Sequence, residues 1–168
     1  IAREFVSATD RPALVTAADV MPVEPGGEEE ADVGAGAGAV VVRADADAPA
    51  AAVEGVGQET TGFVERHREH GEPVQQGDAR FERRHGVAPA AEGAVDRAME
   101  DGGSEPARAV ASAPGYRLAQ AALGSVDAEQ VSTFNDVGYA VAATLLLDLA
   151  HALESSDPDD PVLAVAYG

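Results

Sequence analysis

Short apolar runs recur along this chain at intervals that suit the strands of a sheet. The runs are bounded by Pro, Gly and Asp, and most are rich in Val and Ala. Runs of this length and composition are typical of buried strands. The pattern therefore predicts strands over 13–20, 37–44, 51–57, 107–113 and 161–167.

Helix-like spacing of apolar residues separates several of these runs. It predicts helices over 1–8, 89–103, 115–124 and 137–158, and the segment 129–134 fits a short strand or a turn. In the last of these helices the expected apolar face runs through Val141, Leu145, Leu149, Ala152 and Leu153. Alternation of buried strands with helices indicates an α/β layered fold.

Two polar stretches interrupt the alternation. Residues 21–32 are rich in Pro, Gly and Glu and predict a loop. Residues 58–89 are polar and irregular and hold three of the four histidines. A segment this long inside a compact domain is usually a functional loop or a covering excursion.

The net charge of the chain indicates the kind of solution in which the protein works. The chain has 30 acidic residues against 11 basic ones, all arginine, and its net charge is -19. Self-repulsion of this size destabilises a compact chain, and molar salt screens it beyond about 3 Å. The composition suggests a protein of a high-salt cytoplasm, and the alternative is an ordinary acidic protein. It argues against a broad basic surface for nucleic acid.

Some classes of site and location are excluded by what the sequence lacks. Without cysteine, this segment can form no disulfide, thiolate metal site or cysteine nucleophile. No apolar run approaches the roughly 18 residues that span a bilayer, and the first residues do not resemble a signal peptide. We therefore expect a cytoplasmic protein that does not enter a membrane.

The spacing of Gly34, Gly36 and Ala39 fits the dinucleotide-binding pattern. That pattern needs a strand before the glycines and a helix after them, so that the pyrophosphate meets the helix N-terminus. Here an acidic loop precedes Gly34 and a β-branched run follows Ala39. We therefore expect small residues that let a strand pack closely against neighbouring backbone.

The polar excursion also raises a metal hypothesis. His67, His70 and His85 lie in it together with Glu69 and Asp78. Zinc needs several ligands converging in one pocket, and no second cluster of strong ligands accompanies these residues. Solvated histidines are the favoured interpretation, and no metal is expected.

Two further segments have simple structural interpretations. His151 precedes the apolar Ala152 on the last helix and is expected at its boundary. The acidic residues 157–160 lack the spacing and the closing Glu of a calcium loop, and fit the turn before the last strand.

The order of these motifs resembles the thiolase-fold condensing enzymes. Segment 13–42 looks like their strand, Pro-Gly-Glu loop and glycine-rich strand, and 60–81 looks like their excursion before an Arg-Phe pair. Segment 137–168 looks like their C-terminal helix, acidic turn and strand. The closest likeness is to the archaeal hydroxymethylglutaryl-CoA synthase family, and it is collinear over nearly all of the chain.

The resemblance implies a layered α-β-α-β-α fold and a Claisen-type condensation of acyl-CoA thioesters in the isoprenoid direction. It implies no cofactor beyond the CoA thioester substrate. The chain would span the end of the first thiolase-like half (1–57) and most of the second (58–168). The family's cysteine and glutamate are expected upstream of Ile1, so the chain is expected to be a fragment. A homodimer, or a complex with related acyl-CoA enzymes, is also implied.

The resemblance also places the family's remaining site residues. The "SAPGYR" segment puts Ser112 at the family's histidine and Arg117 at its CoA-facing lysine. The Gly138 turn puts Tyr139 at the family's asparagine. A serine hydroxyl cannot replace imidazole in proton transfer near neutral pH. Arg117 could meet a CoA phosphate or lie free on a helix surface.

Two functions remain open from these positions. The first is a condensing acyltransferase with impaired or altered chemistry. The second is a non-catalytic homologue that binds acyl-CoA or supports a partner enzyme. For the residues themselves, the favoured interpretation of Ser112 is a strand-end serine bonded to backbone, and that of Tyr139 is a space-filling residue at a degenerate site.

Overall fold

The structure, a computed structural model, describes residues 1–64, 66–67, 69–70, 72 and 75–168. Its helices are α1 (Ala2–Thr9), α2 (Ala79–Glu82), α3 (Ala88–Glu100), α4 (Tyr116–Ala122), α5 (Phe134–Val137) and α6 (Thr144–Ser155). Its strands are β1 (Ala13–Val20), β2 (Ala35–Val42), β3 (Arg66–His67), β4 (Gln75–Gln76), β5 (Arg108–Ser112), β6 (Glu129–Gln130) and β7 (Val162–Ala166). Short 3-10 helices at Glu28–Ala31 and Val141–Ala143, and a π-helical turn at Arg83–Val87, complete the description. The α/β class is confirmed.

The first sheet is an antiparallel hairpin of β1 and β2. Leu14 pairs with Val41, and the register continues to Val20 opposite Ala35. One face of the hairpin packs against α6 and the 3-10 helix before it. The other face is exposed and uncharged, and it consists of Leu14, Thr16, Ala18, Val20, Ala35, Ala37, Ala39 and Val41.

Glycine lets β2 approach its neighbours closely. A Cβ at Gly36 would lie 2.8 Å from Leu147 Cδ1, and one at Gly38 would lie 2.7 Å from Leu146 Cβ. A Cβ at Gly34 would overlap the carbonyl oxygen of Val137. The close-packing interpretation of the glycine run is confirmed, since this run enters a strand and no helix follows it.

The second main sheet is parallel, with strand order β6-β5-β7. A core cluster joins β5 and β7 to α3, α4 and the π-helical turn; its buried members include Val87, Ala109, Leu118, Leu123 and Val165. Helix α6 contacts β5 and β7 as well as β2. It therefore connects the hairpin to the parallel sheet.

The strand expected over 51–57 is wrong. These residues have no strand partner and run along α3, where a Cβ at Gly55 or Gly57 would overlap the carbonyl oxygen of Ala98 or Ala94. The Val56 N–H donates to Asp101 at the end of α3. Close approach to a helix backbone, rather than sheet pairing, explains the glycines of this segment.

The expected irregular segment 58–89 contains more structure than its polarity predicts. The short strands β3 and β4 pair with each other, and α2 leads into the π-helical turn and then α3. The Asp78 carboxylate caps α2 by accepting from the N–H groups of Arg80 at 2.7 Å and Phe81 at 3.2 Å. These bonds hold the pKa of Asp78 below its ordinary value.

The last long helix begins later in the chain than its apolar pattern predicts, and it buries a different face. It begins at Thr144 rather than 137, and its fully buried residues are Thr144, Asp148 and Ala152. Of the expected face, Ala152 alone is fully buried, and Leu145, Leu149 and Leu153 are half-buried. Hydrogen bonds help the polar side chains to turn inward: Thr144 Oγ1 accepts from the Ala140 N–H, and Asp148 Oδ1 accepts from the Thr133 N–H.

The described part of the chain contains no helix with the length and apolarity needed to cross a membrane. The expected division after residue 57 stays a prediction.

Candidate functional site

Ser112 ends the central strand of the parallel sheet. Its side chain is 7% exposed, and its Oγ donates to the carbonyl oxygen of Val141 at 3.4 Å. Its own carbonyl accepts from the Tyr167 N–H at 2.8 Å. The hydroxyl is therefore enclosed and directed at backbone, at the carboxyl end of parallel strands, where α/β sheets usually place ligands.

The turn from Gly138 to Val141 lies against this serine. Gly138 has a φ of 76°, and the Tyr139 N–H donates to the Asp32 carbonyl at 2.8 Å. The Gly34 N–H donates to the Tyr139 carbonyl at 3.0 Å, so the turn is bonded on both sides to the segment that enters β2. The structure thus brings together Ser112 and the turn that carries Gly138 and Tyr139.

Val141 has an unusual backbone conformation. Its φ is 49°, in the left-handed region that a β-branched residue rarely enters. Such a conformation costs about 1–3 kcal/mol and persists where the surroundings determine it. Here the Ala140 N–H donates to Thr144 Oγ1 at 2.9 Å, and the Val141 carbonyl receives Ser112 Oγ. Strain is therefore stored at the residue that the site serine contacts.

The Tyr139 phenol is half-buried beside charged groups. Burial raises its pKa, the nearby Arg66 guanidinium lowers it, and the Asp19 carboxylate raises it. Burial dominates, so the net shift is upward. At neutral pH this side chain is a hydrogen-bond donor and not a base.

Arg66 is a site residue that sequence reasoning missed. Its Nε donates to both carboxylate oxygens of Glu82, at 3.0 and 3.2 Å, and its Nη2 donates to the Pro114 carbonyl at 3.2 Å. The Arg66 side chain is 18% exposed and the Glu82 side chain is 3% exposed. Arg66 therefore ties the polar excursion to the loop that follows Ser112.

One signal could have revealed this ion pair. Glu82, Gly86 and Val87 are all buried and follow helical spacing. An acid on the inward face of a helical segment needs a buried cation or donor. The sequence does not say which of the many arginines supplies it.

The structure places the other expected site residue, Arg117, on the surface. It is exposed in the first turn of α4, after Gly115 with a φ of 104°. No residue in the described ranges forms an ion pair with it. It could therefore meet an anionic group, and its role in binding stays a prediction.

A cleft opens beside the carboxyl end of β7. Its volume is about 310 Å³, at the small end of ligand pockets, and its lining includes Gln58, Thr61, Phe63, Ala94 and Tyr167. Tyr167 connects it to Ser112 through the backbone hydrogen bond given above.

The histidines do not form a metal centre with other described residues. His67, His70, His85 and His151 are exposed, and the His85 ring packs at a tilt against Phe81, with ring centres 4.5 Å apart. Across residues 1–64, 66–67, 69–70, 72 and 75–168, no three His, Asp or Glu side chains are grouped to hold a metal ion. Residues 157–160 form the expected turn, closed by an Asp160 N–H to Asp157 carbonyl bond of 3.0 Å.

Comparisons of the chain with protein-family models and with curated proteins give no match. The resemblance to condensing enzymes therefore rests on the chain's own motifs.

Proposed function

We propose that the chain belongs to a hydroxymethylglutaryl-CoA synthase-like protein of the thiolase fold that binds acyl-CoA thioesters and has lost the family's usual condensation chemistry. One observation carries this proposal: the Ser112 hydroxyl is buried and bonded to a backbone carbonyl. A serine held in this way takes no part in proton transfer. The resemblance places the family's histidine at this position.

Tyr139 supports the same conclusion. The expected asparagine at its position would offer a small amide to the site, whereas the phenol is larger and its pKa is raised. A neutral phenol can donate a hydrogen bond to a carbonyl oxygen, but it cannot remove a proton near pH 7. Ser112 and Tyr139 therefore offer hydrogen-bond donors suited to binding. Neither supplies a base at the positions where the resemblance implies catalytic residues.

The architecture is compatible with a thiolase-like half. Helix α6 packs against β2 on one side of the molecule and against β5 and β7 as well. A helix that contacts two sheets is what the central layer of an α-β-α-β-α arrangement requires. Ser112 and the Gly138 turn, placed by separate motifs, also come into contact, as one active site requires.

The proposal includes a cytoplasmic setting, high salt, and pairing with a second copy or a related acyl-CoA enzyme. The second candidate is a scaffold that supports a partner enzyme without binding acyl-CoA. The enclosed Ser112 hydroxyl is equally compatible with it. The two functions differ in whether the full-length protein binds CoA thioesters.

The first experiment measures binding of acetyl-CoA and acetoacetyl-CoA to the full-length protein by calorimetry in molar salt, and then their turnover. We expect binding with little or no condensation. Absence of binding would refute the acyl-CoA proposal in favour of the scaffold. Condensation at a rate usual for synthases would refute the loss of chemistry.

The second experiment introduces Ser112→His and Tyr139→Asn together. If the motif placement is right, condensation rises above that of the unmodified protein. The matched control introduces Ser125→His and Tyr116→Asn, because both residues are exposed. A folded Ser112/Tyr139 variant with no gain in activity would contradict the placement of these two positions.

A further inference from the structure

The helical run that joins α2 to the π-helical turn presents basic and aromatic side chains to solvent. Arg80, Arg83 and Arg84 are exposed, and so are Phe81 and His85. Positions 80, 83 and 84 share one face of a helix, since residues three and four apart are neighbours there. The Phe81 and His85 rings are in contact, with centres 4.5 Å apart. We call these five residues the arginine surface.

The arginines of this surface form no ion pair, although the chain has 30 acidic residues against 11 basic ones. Within the described residues, no carboxylate lies within ion-pair distance of Arg80, Arg83 or Arg84. From position 79 to position 91 the sequence has a single acid, Glu82, which faces inward. The arginines that do pair with carboxylates are Arg3, Arg43, Arg66, Arg97 and Arg108. The positive charge of the arginine surface is therefore available to anionic groups from outside.

The interior of the molecule holds the arginine surface in place. Glu82 is buried and accepts a hydrogen bond from Arg66 Nε. Gly86 fits tightly against two aromatic residues, because a Cβ there would lie 2.6 Å from Phe63 Cδ1 and from Tyr167 Oη. A π-helical turn within a helix is itself a geometry that often marks functional positions. Since the turn is anchored, its exposed side chains can bind a partner without ordering the backbone first.

We propose that the arginine surface binds a short acidic segment of a partner protein. Carboxylates of that segment would meet Arg80, Arg83 and Arg84, and an apolar side chain would cover Phe81, which is 51% exposed. Arginine binds a carboxylate through two parallel hydrogen bonds, and arginine and aromatic residues are enriched at protein interfaces. This inference goes beyond the proposed acyl-CoA binding and does not depend on it.

The net charge of the chain selects among anionic partners. A chain of net charge -19 repels a nucleic acid, or a second copy of itself, as a whole. A short segment brings few charges and places them directly against the arginines. The size of the surface favours the same partner, because it spans less than two turns of helix. A stable interface between domains buries roughly 800 Å² on each partner, which is more than such a surface offers.

The test uses a fluorescently labelled synthetic peptide in which glutamate alternates with leucine, and a counterpart with glutamine in place of glutamate. Fluorescence anisotropy gives the dissociation constant of each peptide for the full-length protein. The measurement starts at the lowest chloride concentration at which circular dichroism shows the protein folded, and continues as chloride is raised. We expect the glutamine peptide to bind about tenfold more weakly than the glutamate peptide, and the difference to shrink with salt.

The informative variant is Arg83→Gln/Arg84→Gln, which removes two charges from the arginine surface. Both side chains are exposed, so the variant should fold as the unmodified protein does. It should weaken binding of the glutamate peptide about tenfold, as the loss of two exposed ion pairs implies. The matched control is Arg11→Gln/Arg43→Gln, which removes the same charge from other exposed positions and should change the dissociation constant by less than about twofold.

Four results would overturn the inference. The first is equal binding of the two peptides. The second is equal weakening by the two double variants, because overall charge would then account for binding. The third is displacement of the glutamate peptide by pyrophosphate at a lower concentration than by unlabelled glutamate peptide, which would indicate a phosphate site. The fourth is self-association that Arg83→Gln/Arg84→Gln abolishes, which would assign the surface to a second copy. Each result leaves acyl-CoA binding standing.

Discussion

Asp148 offers a sharp test of why α6 turns polar side chains inward. Its side chain is 0% exposed, and its Oδ1 accepts from the Thr133 N–H and the Thr133 hydroxyl, both at 2.7 Å. Within the described residues, its Oδ2 has no partner. The carboxylate thus joins α6 to the start of α5, which precedes the Gly138 turn.

Asp148→Ala leaves two donors of Thr133 without an acceptor. Each buried unsatisfied group costs about 1–3 kcal/mol, and the hydroxyl can turn elsewhere, so the loss in free energy of unfolding should be about 3 kcal/mol. Asp148→Asn keeps an acceptor oxygen for Thr133 and removes a charge whose second oxygen is unpaired. It should cost less than about 1 kcal/mol.

The assay is equilibrium unfolding in urea at fixed molar salt, with Asp127→Ala as an exposed control. That control should stay within about 0.5 kcal/mol of the unmodified protein. Equal losses for Asp148→Ala and Asp148→Asn would refute the reasoning, because the charge and not the accepted hydrogen bonds would then account for the stability.

Three further predictions use the same measurement under changed conditions. Gly34→Ala should lower the free energy of unfolding by about 2 kcal/mol or more, because the new Cβ meets the rigid Val137 carbonyl. The control is Gly62→Ala, where the new Cβ has open space. Equal effects of the two substitutions would contradict the close packing at Gly34. The Arg3 side chain, and secondarily a backbone N–H, hold the pKa of Asp101 below its ordinary value. The stability from its ionised form is therefore complete above roughly pH 4 and is lost as pH falls through the folded pKa. If the loss of stability at acid pH were the same for Asp101→Asn as for the unmodified protein, this expectation would be contradicted. Finally, the unfolding midpoint should rise from dilute buffer to molar salt, and a flat midpoint would argue against salt adaptation.

The elements with strong local patterns could be predicted from the sequence. Strands β1, β2, β5 and β7 and helices α1, α3 and α4 fall within a few residues of their expected ranges. The glycine run in β2 was also understood correctly, because the acidic loop before Gly34 and the valines after Ala39 exclude a nucleotide cradle. In these cases local composition and tertiary role agree.

Prediction failed where a tertiary contact decides the local structure. Apolar periodicity extends through Val141, but the left-handed turn there delays α6 until Thr144. Residues 51–57 have the apolar character of a strand and follow α3 because their glycines permit it. Neither outcome is visible without the packing partner.

The site shows the same division. Motifs single out Ser112 and the Gly138 turn, and the structure shows Ser112 bonded to Val141 in that turn, while their roles stay predictions. Arg66 could not be singled out, because its bond to the Pro114 carbonyl depends on the fold of the polar excursion and on the buried Glu82. A long-range ion pair leaves no spacing in the sequence that identifies its partner.

Because the outer face of the β1–β2 hairpin is uncharged, salt favours association between copies of this protein in two ways. Leu14, Val20 and Val41 project from it with alanines between them, on a chain that otherwise carries a large negative charge. Added ions weaken the repulsion that keeps copies apart, and strongly hydrated anions such as sulfate also strengthen apolar association. Colloidal stability should therefore fall as sulfate is added, and should fall less steeply in chloride.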